Sequence, residues 1–252
     1  MQYFVKEDSI VRKIWGDIDV ILFIFAGAAA EFSLNKAVDW LYFTGKLPED
    51  PLGRLFSTVA YAKKIVFSTH NDAILAIDQI TAIHKHVEAA RAATIPDWAY
   101  RDVLFMLIDY SIRSFELLER KLSLVEKEEI FNTFYRVGLR MEINGLPTSY
   151  EEWVQMHDLQ LQQDLKYSHF SEDLFKQYKK HLGALRYHLM RNIQAVVVPL
   201  QVNQWLRLGK GKMIMPILWL FRASRSLHLH QTFRNLLLPL KYKAQILNLG
   251  RM

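Results

Sequence analysis

Ile77-Asp78-Gln79-Ile80-Thr81-Ala82-Ile83-His84-Lys85-His86-Val87-Glu88-Ala89-Ala90-Arg91 is the stretch on which the fold turns. Ile77, Ile80, His84, Val87 and Arg91 recur at intervals of three and four, the period of one face of an α-helix. His84 therefore shares a stripe with apolar side chains, whereas His86 points away from it by about 200° of helical rotation. A neutral imidazole on a rigid helix, aimed at a dry interior, is suited to bind haem iron through one nitrogen while the other donates a fixing hydrogen bond. The same position suits a histidine that is merely hydrogen-bonded in the core.

Outward from this helix, the same periodicity recurs along the chain, and no Asn-Gly or Asp-Gly turn separates alternating runs. Asp50-Pro51 reads as an N-cap followed by a first-turn proline. Ser123 to Glu126 and Ser149 to Glu152 have capping-box spacing, and Thr94-Ile95-Pro96-Asp97 marks another start. The predicted helices are 16–30, 33–44, 51–66, 71–92, 96–120, 124–142, 149–164, 171–195, 199–223 and 227–247. Gly145-Leu146-Pro147-Thr148 and Gly209-Lys210-Gly211-Lys212 interrupt the pattern, but neither is long enough for a flexible linker. The expectation is one all-α domain over residues 1–252, with a basic helical extension from about residue 174.

Apolar residues make up 51% of the 252, enough for a substantial core. Cysteine is absent, which excludes disulfides, thiolate-ligated haem, iron-sulfur clusters and thiolate zinc sites, and leaves histidine and carboxylate as the natural metal ligands. The first residues do not read as a secretory signal, which suggests a cytoplasmic location. The apolar runs 20–30 and 213–221 fall short of the roughly 20 residues of a spanning helix and read as buried helices.

The net charge of +6 hides an asymmetry. No acidic residue follows Asp173, whereas 14 of the 32 Lys and Arg lie beyond it. A basic, apolar final third suits an anionic membrane surface, an anionic substrate or haem propionates. Nucleic acid is disfavoured because no recognition motif accompanies the charge. Trp205, Trp219 and Phe221 interleave with Arg207, Lys210, Lys212 and Arg222, which suits a membrane interface or core packing. The pairs His181 with His188 and His228 with His230 lack metal-site spacing with a carboxylate.

No zinc-protease, phosphate-loop, dinucleotide or nucleophile-elbow motif is present. Arg54 and Thr58, four apart on the helix opened by Pro51, reach the same region. There they could address one ligand, the guanidinium neutralising a haem propionate or polarising oxygen beside the hydroxyl. An ion pair of Arg54 with Asp50 or Asp109 fits the spacing equally well.

Three segments, Asp50-Pro51-Leu52-Gly53-Arg54-Leu55-Phe56-Ser57-Thr58, Ile83-His84-Lys85-His86-Val87 and Gly138-Leu139-Arg140-Met141-Glu142-Ile143-Asn144-Gly145-Leu146-Pro147, taken in order, resemble the haem-dependent oxygenase family of the latex-clearing protein (rubber oxygenase) and the mycophenolic-acid-pathway oxygenase that cleaves a prenyl chain. The likeness runs from about Phe25 to Tyr167 and includes Phe25-Ala26-Gly27-Ala28-Ala29-Ala30 and Leu118-Glu119-Arg120-Lys121-Leu122-Ser123. It implies a globin-like multi-helix bundle holding haem b, with His84 as the iron ligand and Arg54 and Thr58 near the distal side. It also implies an oxidoreductase that uses dioxygen to cleave carbon-carbon double bonds in isoprenoid chains or to carry out related oxidations, on a hydrophobic, isoprenoid or unsaturated lipid-like substrate. Ser57 stands where the rubber oxygenase has a lysine that can cap the iron, and Thr81 where an arginine precedes the ligand by one turn, so lysine capping is not expected here. Glu31 and Asp39 lie before Arg54 as candidate acids, with no residue-by-residue match. The alternative is a non-catalytic helical protein of the same fold that binds lipid or a membrane surface, with His84 merely packed.

Overall fold

A computed structural model describes residues 2–45, 49–211, 214–216 and 218–219. Side-chain caps start most of its helices. Ser9 accepts from Val11 N at 3.0 Å and opens α1 (Ile10–Gly16), and Asp17 accepts from Asp19 N at 2.9 Å and opens α2 (Ile18–Phe32). After the short α3 (Val38–Phe43), Asp50 accepts from Gly53 N at 3.1 Å beside Pro51 and opens α4 (Pro51–Phe67). Thr69 caps α5 (His70–Arg91), and α6 (Asp97–Leu118) follows Pro96. Ser123 and Glu126 form the expected reciprocal box at α7 (Leu124–Arg140). Ser149 caps α8 (Tyr150–Gln163), but Glu152 reaches Thr148 N at 2.7 Å, so the second half of that box lies one residue upstream of its expected place. The long α9 (His169–Val197) and short α10 (Leu200–Leu206) follow. Each side-chain cap contributes about 1 kcal/mol.

These helices form an all-α bundle with no strand among the described residues. The centre is α2, apolar on every side and buried from Val20 to Glu31 apart from Leu22 and Ala28, as the 20–30 run predicts. It packs along α6 and against α9. Gly27 permits this closeness, because a Cβ there would lie 2.2 Å from the ring of Tyr110. Trp15 of α1 is fully buried and donates its indole N–H to Ser111 Oγ at 3.2 Å. Burying each such large side chain contributes roughly 1.5–3 kcal/mol.

Three expectations are corrected. The predicted helix 16–30 is divided at Asp17, whose extended backbone (φ −95°, ψ 111°) ends α1 and caps α2. The predicted helix 33–44 shortens to α3 because 33–37 form turns, in which Asn35 Oδ1 accepts from Ala37 N. The predicted helix 171–195 is broken at Gly183, with φ 75° and ψ 167°, a conformation nearly exclusive to glycine. A Cβ at Gly183 would meet nothing within 4 Å, so Gly183→Ala strains only the backbone. It is expected to destabilise by about 1–3 kcal/mol. Thermal unfolding checks this, and an unchanged Tm would contradict it.

Of the predicted helix 199–223, the structure describes α10 and a few residues beyond it. The predicted helix 227–247 lies outside the described residues, as do Lys212, Phe221, Arg222, His228 and His230. No helix of the described residues is long and apolar enough to cross a membrane.

Candidate functional site at a helical hairpin

The α4 and α5 helices run antiparallel about a short turn at Ser68 and Thr69, and they pack on each other. Arg54 and His84 stand almost equally far from that turn, so the hairpin register sets the first turn of α4 beside the last turns of α5. Lys64 Nζ donates to Gln79 Oε1 at 3.4 Å across the hairpin, and the Arg54 guanidinium is near enough to His84 to act on its charge. The stripe on α5 is fully buried at Ala73, Ala76 and Ile77 but only half-buried at Ile80, His84, Val87 and Arg91. The expected burial of His84 is thus partial, since the end of α5 extends past the bundle's densest packing. His86 is exposed, as its position on the helix predicts.

The Nδ1 atom of His84 is buried and has no hydrogen-bond partner among the described residues. Burial, and next the Arg54 guanidinium, pull the imidazole pKa down to about 4 against the opposing charge of Glu88. His84 is therefore neutral at neutral pH and keeps a lone pair available. The fixing hydrogen bond expected of a ligand is not formed among the described residues. Packing orients the ring instead: Tyr100 lies edge-on to it at 5.2 Å. Glu88 holds that wall, accepting from Ile95 N at 2.8 Å and from Tyr100 Oη at 3.3 Å.

Arg54 makes no ion pair among the described residues, and burial lowers its pKa. Its Nη1 donates to Ser57 Oγ at 3.3 Å, and Ser57 Oγ donates to the Arg54 carbonyl at 2.8 Å. Thr58 Oγ1 donates to the same carbonyl at 3.3 Å. Asp109 pairs with Arg113 at 2.5 Å and Asp50 caps α4, so neither takes up the ion pair with Arg54 that spacing allowed. The structure thus gathers Arg54 and His84 at one end of the hairpin, with Thr58 one turn along α4.

The two candidate acids are placed apart. Asp39 is bound to Arg91 at 2.7 Å, and that guanidinium also lies over the Trp40 ring at 4.0 Å. Glu31 is fully buried in a different polar cluster, accepting from Tyr110 Oη at 2.8 Å and Gln160 Nε2 at 3.2 Å. Burial, and next the charge of Asp109, push its pKa up to about 8. His157 Nε2 lies 4.0 Å from Glu31 and is buried without a hydrogen bond among the described residues, and the ring is stacked on Trp153 at 5.2 Å. Sequence reasoning passed over His157. The available signal was Trp153, His157, Gln160 and Leu161 on one face of a predicted helix, all of which are buried.

Residues 12–239, most of the chain, match the family described as "ER-bound oxygenase mpaB/B'/Rubber oxygenase, catalytic domain". No curated protein and no solved structure matches.

Proposed function

The chain belongs to the mpaB/rubber oxygenase catalytic-domain family, and on that premise we propose that it is a haem-b-dependent oxygenase acting with dioxygen on an apolar, isoprenoid or unsaturated lipid-like substrate. The observation that carries this reading is the neutral imidazole of His84, without a hydrogen-bond partner among the described residues, beside an Arg54 guanidinium that forms no ion pair among them. Among the described residues no three histidines or carboxylates gather to hold a metal ion. One imidazole suffices when a porphyrin would supply the remaining donors, so the donor set fits haem better than a bare ion.

Haem iron, when bound, supplies the activation of dioxygen that no side chain in this chain provides. His84 would hold the iron through a nitrogen kept unprotonated by burial. Tyr100, steadied by Glu88, keeps the ring edge-on and limits its rotation. Arg54 would offer N–H donors to a propionate or to oxygen, with Ser57 bracing the guanidinium and the Thr58 hydroxyl within reach. Half-buried Ile80 and Val87 flank His84 with apolar surface suited to exclude water and accept a hydrocarbon chain.

Oxygen consumption with polyprenyl or unsaturated lipid substrates tests the activity. The expected result is uptake by the haem-loaded protein that needs His84, and uptake independent of His84 would overturn the reading. Arg54→Gln keeps length and polarity but removes the charge, and it is expected to lower kcat/KM about 10-fold or more. An unchanged kcat/KM would assign Arg54 a structural role instead.

A second reading, attachment to a lipid surface without turnover, is favoured by one observation. Leu200, Trp205, Met215 and Trp219 are exposed within the basic final third. Vesicle binding without oxygen uptake on any such substrate would select it.

A further inference from the structure

The break at Gly183 builds a cleft that the hairpin site does not use. In an unbroken helix, residues 175 and 191 would stand about 24 Å apart along the axis. With the helix broken, the Arg191 guanidinium lies over the Phe175 ring at 4.7 Å, so 184–197 folds back beside 169–182. Between the two halves is a cavity of about 260 Å³ whose walls include Tyr167, Phe175, Lys179, Tyr187, Arg191 and Leu206. None of Arg54, Thr58 and His84 lines it.

The charges in this cleft are unbalanced. Glu172 and Lys176, also on its wall, pair with each other at 2.8 Å and cancel. Arg191 donates through Nη2 to the Leu206 carbonyl at 2.9 Å and has no carboxylate partner among the described residues. Burial lowers its pKa, as for a cation removed from water without a counter-charge. Lys179 is exposed at the rim and likewise forms no ion pair among the described residues. No acidic side chain follows Asp173 in residues 174–252 to supply one.

We propose that this cleft binds a small amphipathic anion, with a phosphate or carboxylate head held by Arg191 and Lys179 and a short apolar body against Phe175, Tyr187 and Leu206. The remaining guanidinium N–H groups present the planar fork that recognises such oxyanions, and the lysine adds a mobile second charge. The cavity is smaller than those that enclose drug-sized ligands. It therefore holds the head and the first carbons, and a longer chain leaves through the open mouth. The site is independent of haem binding.

Isothermal titration of the full chain with octyl phosphate tests the proposal, with octanol lacking the head and inorganic phosphate lacking the body. Saturable binding of octyl phosphate is expected, at least about tenfold tighter than that of either control. Lys179→Glu, at an exposed position, is expected to weaken it by about tenfold or more without changing Tm. Arg191→Gln should weaken it further; if that variant fails to fold, Lys179→Glu alone decides. Octanol binding as tightly as octyl phosphate, or a Lys179→Glu chain binding normally, would overturn the proposal. Vesicles of phosphatidylcholine with and without phosphatidic acid then distinguish the source. Capture that requires phosphatidic acid and Lys179 identifies a lipid headgroup, whereas binding of octyl phosphate alone identifies a soluble anion. Binding of neither overturns the site.

Discussion

Glu31→Gln is expected to raise stability at pH 9 by roughly 2–4 kcal/mol and to change it little at pH 5. Glu31 is fully buried, with its folded pKa raised from 4.5 to about 8. Below pH 4.5 the carboxyl is protonated whether the chain is folded or not, and its favourable contribution is complete. As pH rises from 4.5 through 8 the unfolded chain ionises first, and stability falls until the folded carboxyl has ionised too. A glutamine removes that window. Its amide oxygen can still accept from Tyr110, and its new N–H₂ can meet Gln160 once that side chain turns to present Oε1, which is buried and without a hydrogen-bond partner among the described residues. Denaturant unfolding of both chains between pH 5 and 9 measures the difference. Parallel stability curves would show that Glu31 does not titrate in this window.

The legible parts of the molecule are those written in local pattern. The three- and four-residue spacing around His84 located α5, Asp50-Pro51 located the start of α4, and Ser123 with Glu126 located α7. The nearness of Arg54 and His84 follows from their near-equal distances from the turn, and the family resemblance points to the same pair. What escaped depends on distant partners or a single backbone angle. Glu31 meets Tyr110 and Gln160 across 79 and 129 residues of sequence, and no local period encodes those contacts. Gly183 lies within an uninterrupted helical pattern, and only its φ of 75° shows that the chain turns there. The half-buried state of His84 was hidden too, because periodicity identifies a face but not how much of it is covered.

The second large effect is expected at His84. His84→Ala removes the one imidazole that the α5 stripe offers to the interior, and His86, two residues on, is exposed and faces away. Because the ring is half-buried and makes no hydrogen bond among the described residues, its loss leaves no polar partner stranded. The destabilisation is therefore expected to be modest, about 1 kcal/mol, while haem affinity falls by orders of magnitude. Thr58→Ala, by contrast, removes a hydroxyl that among the described residues bonds its own helix's carbonyl, and it leaves His84 in place.

Titration of the purified chain with haem, read as the visible absorption spectrum of wild type and His84→Ala at matched Tm, tests the central claim most directly. A saturable Soret band with the signature of histidine ligation is expected in the wild type, and its loss or replacement by the spectrum of unligated haem in His84→Ala. Identical spectra from the two chains, or no Soret shift in either, would contradict it.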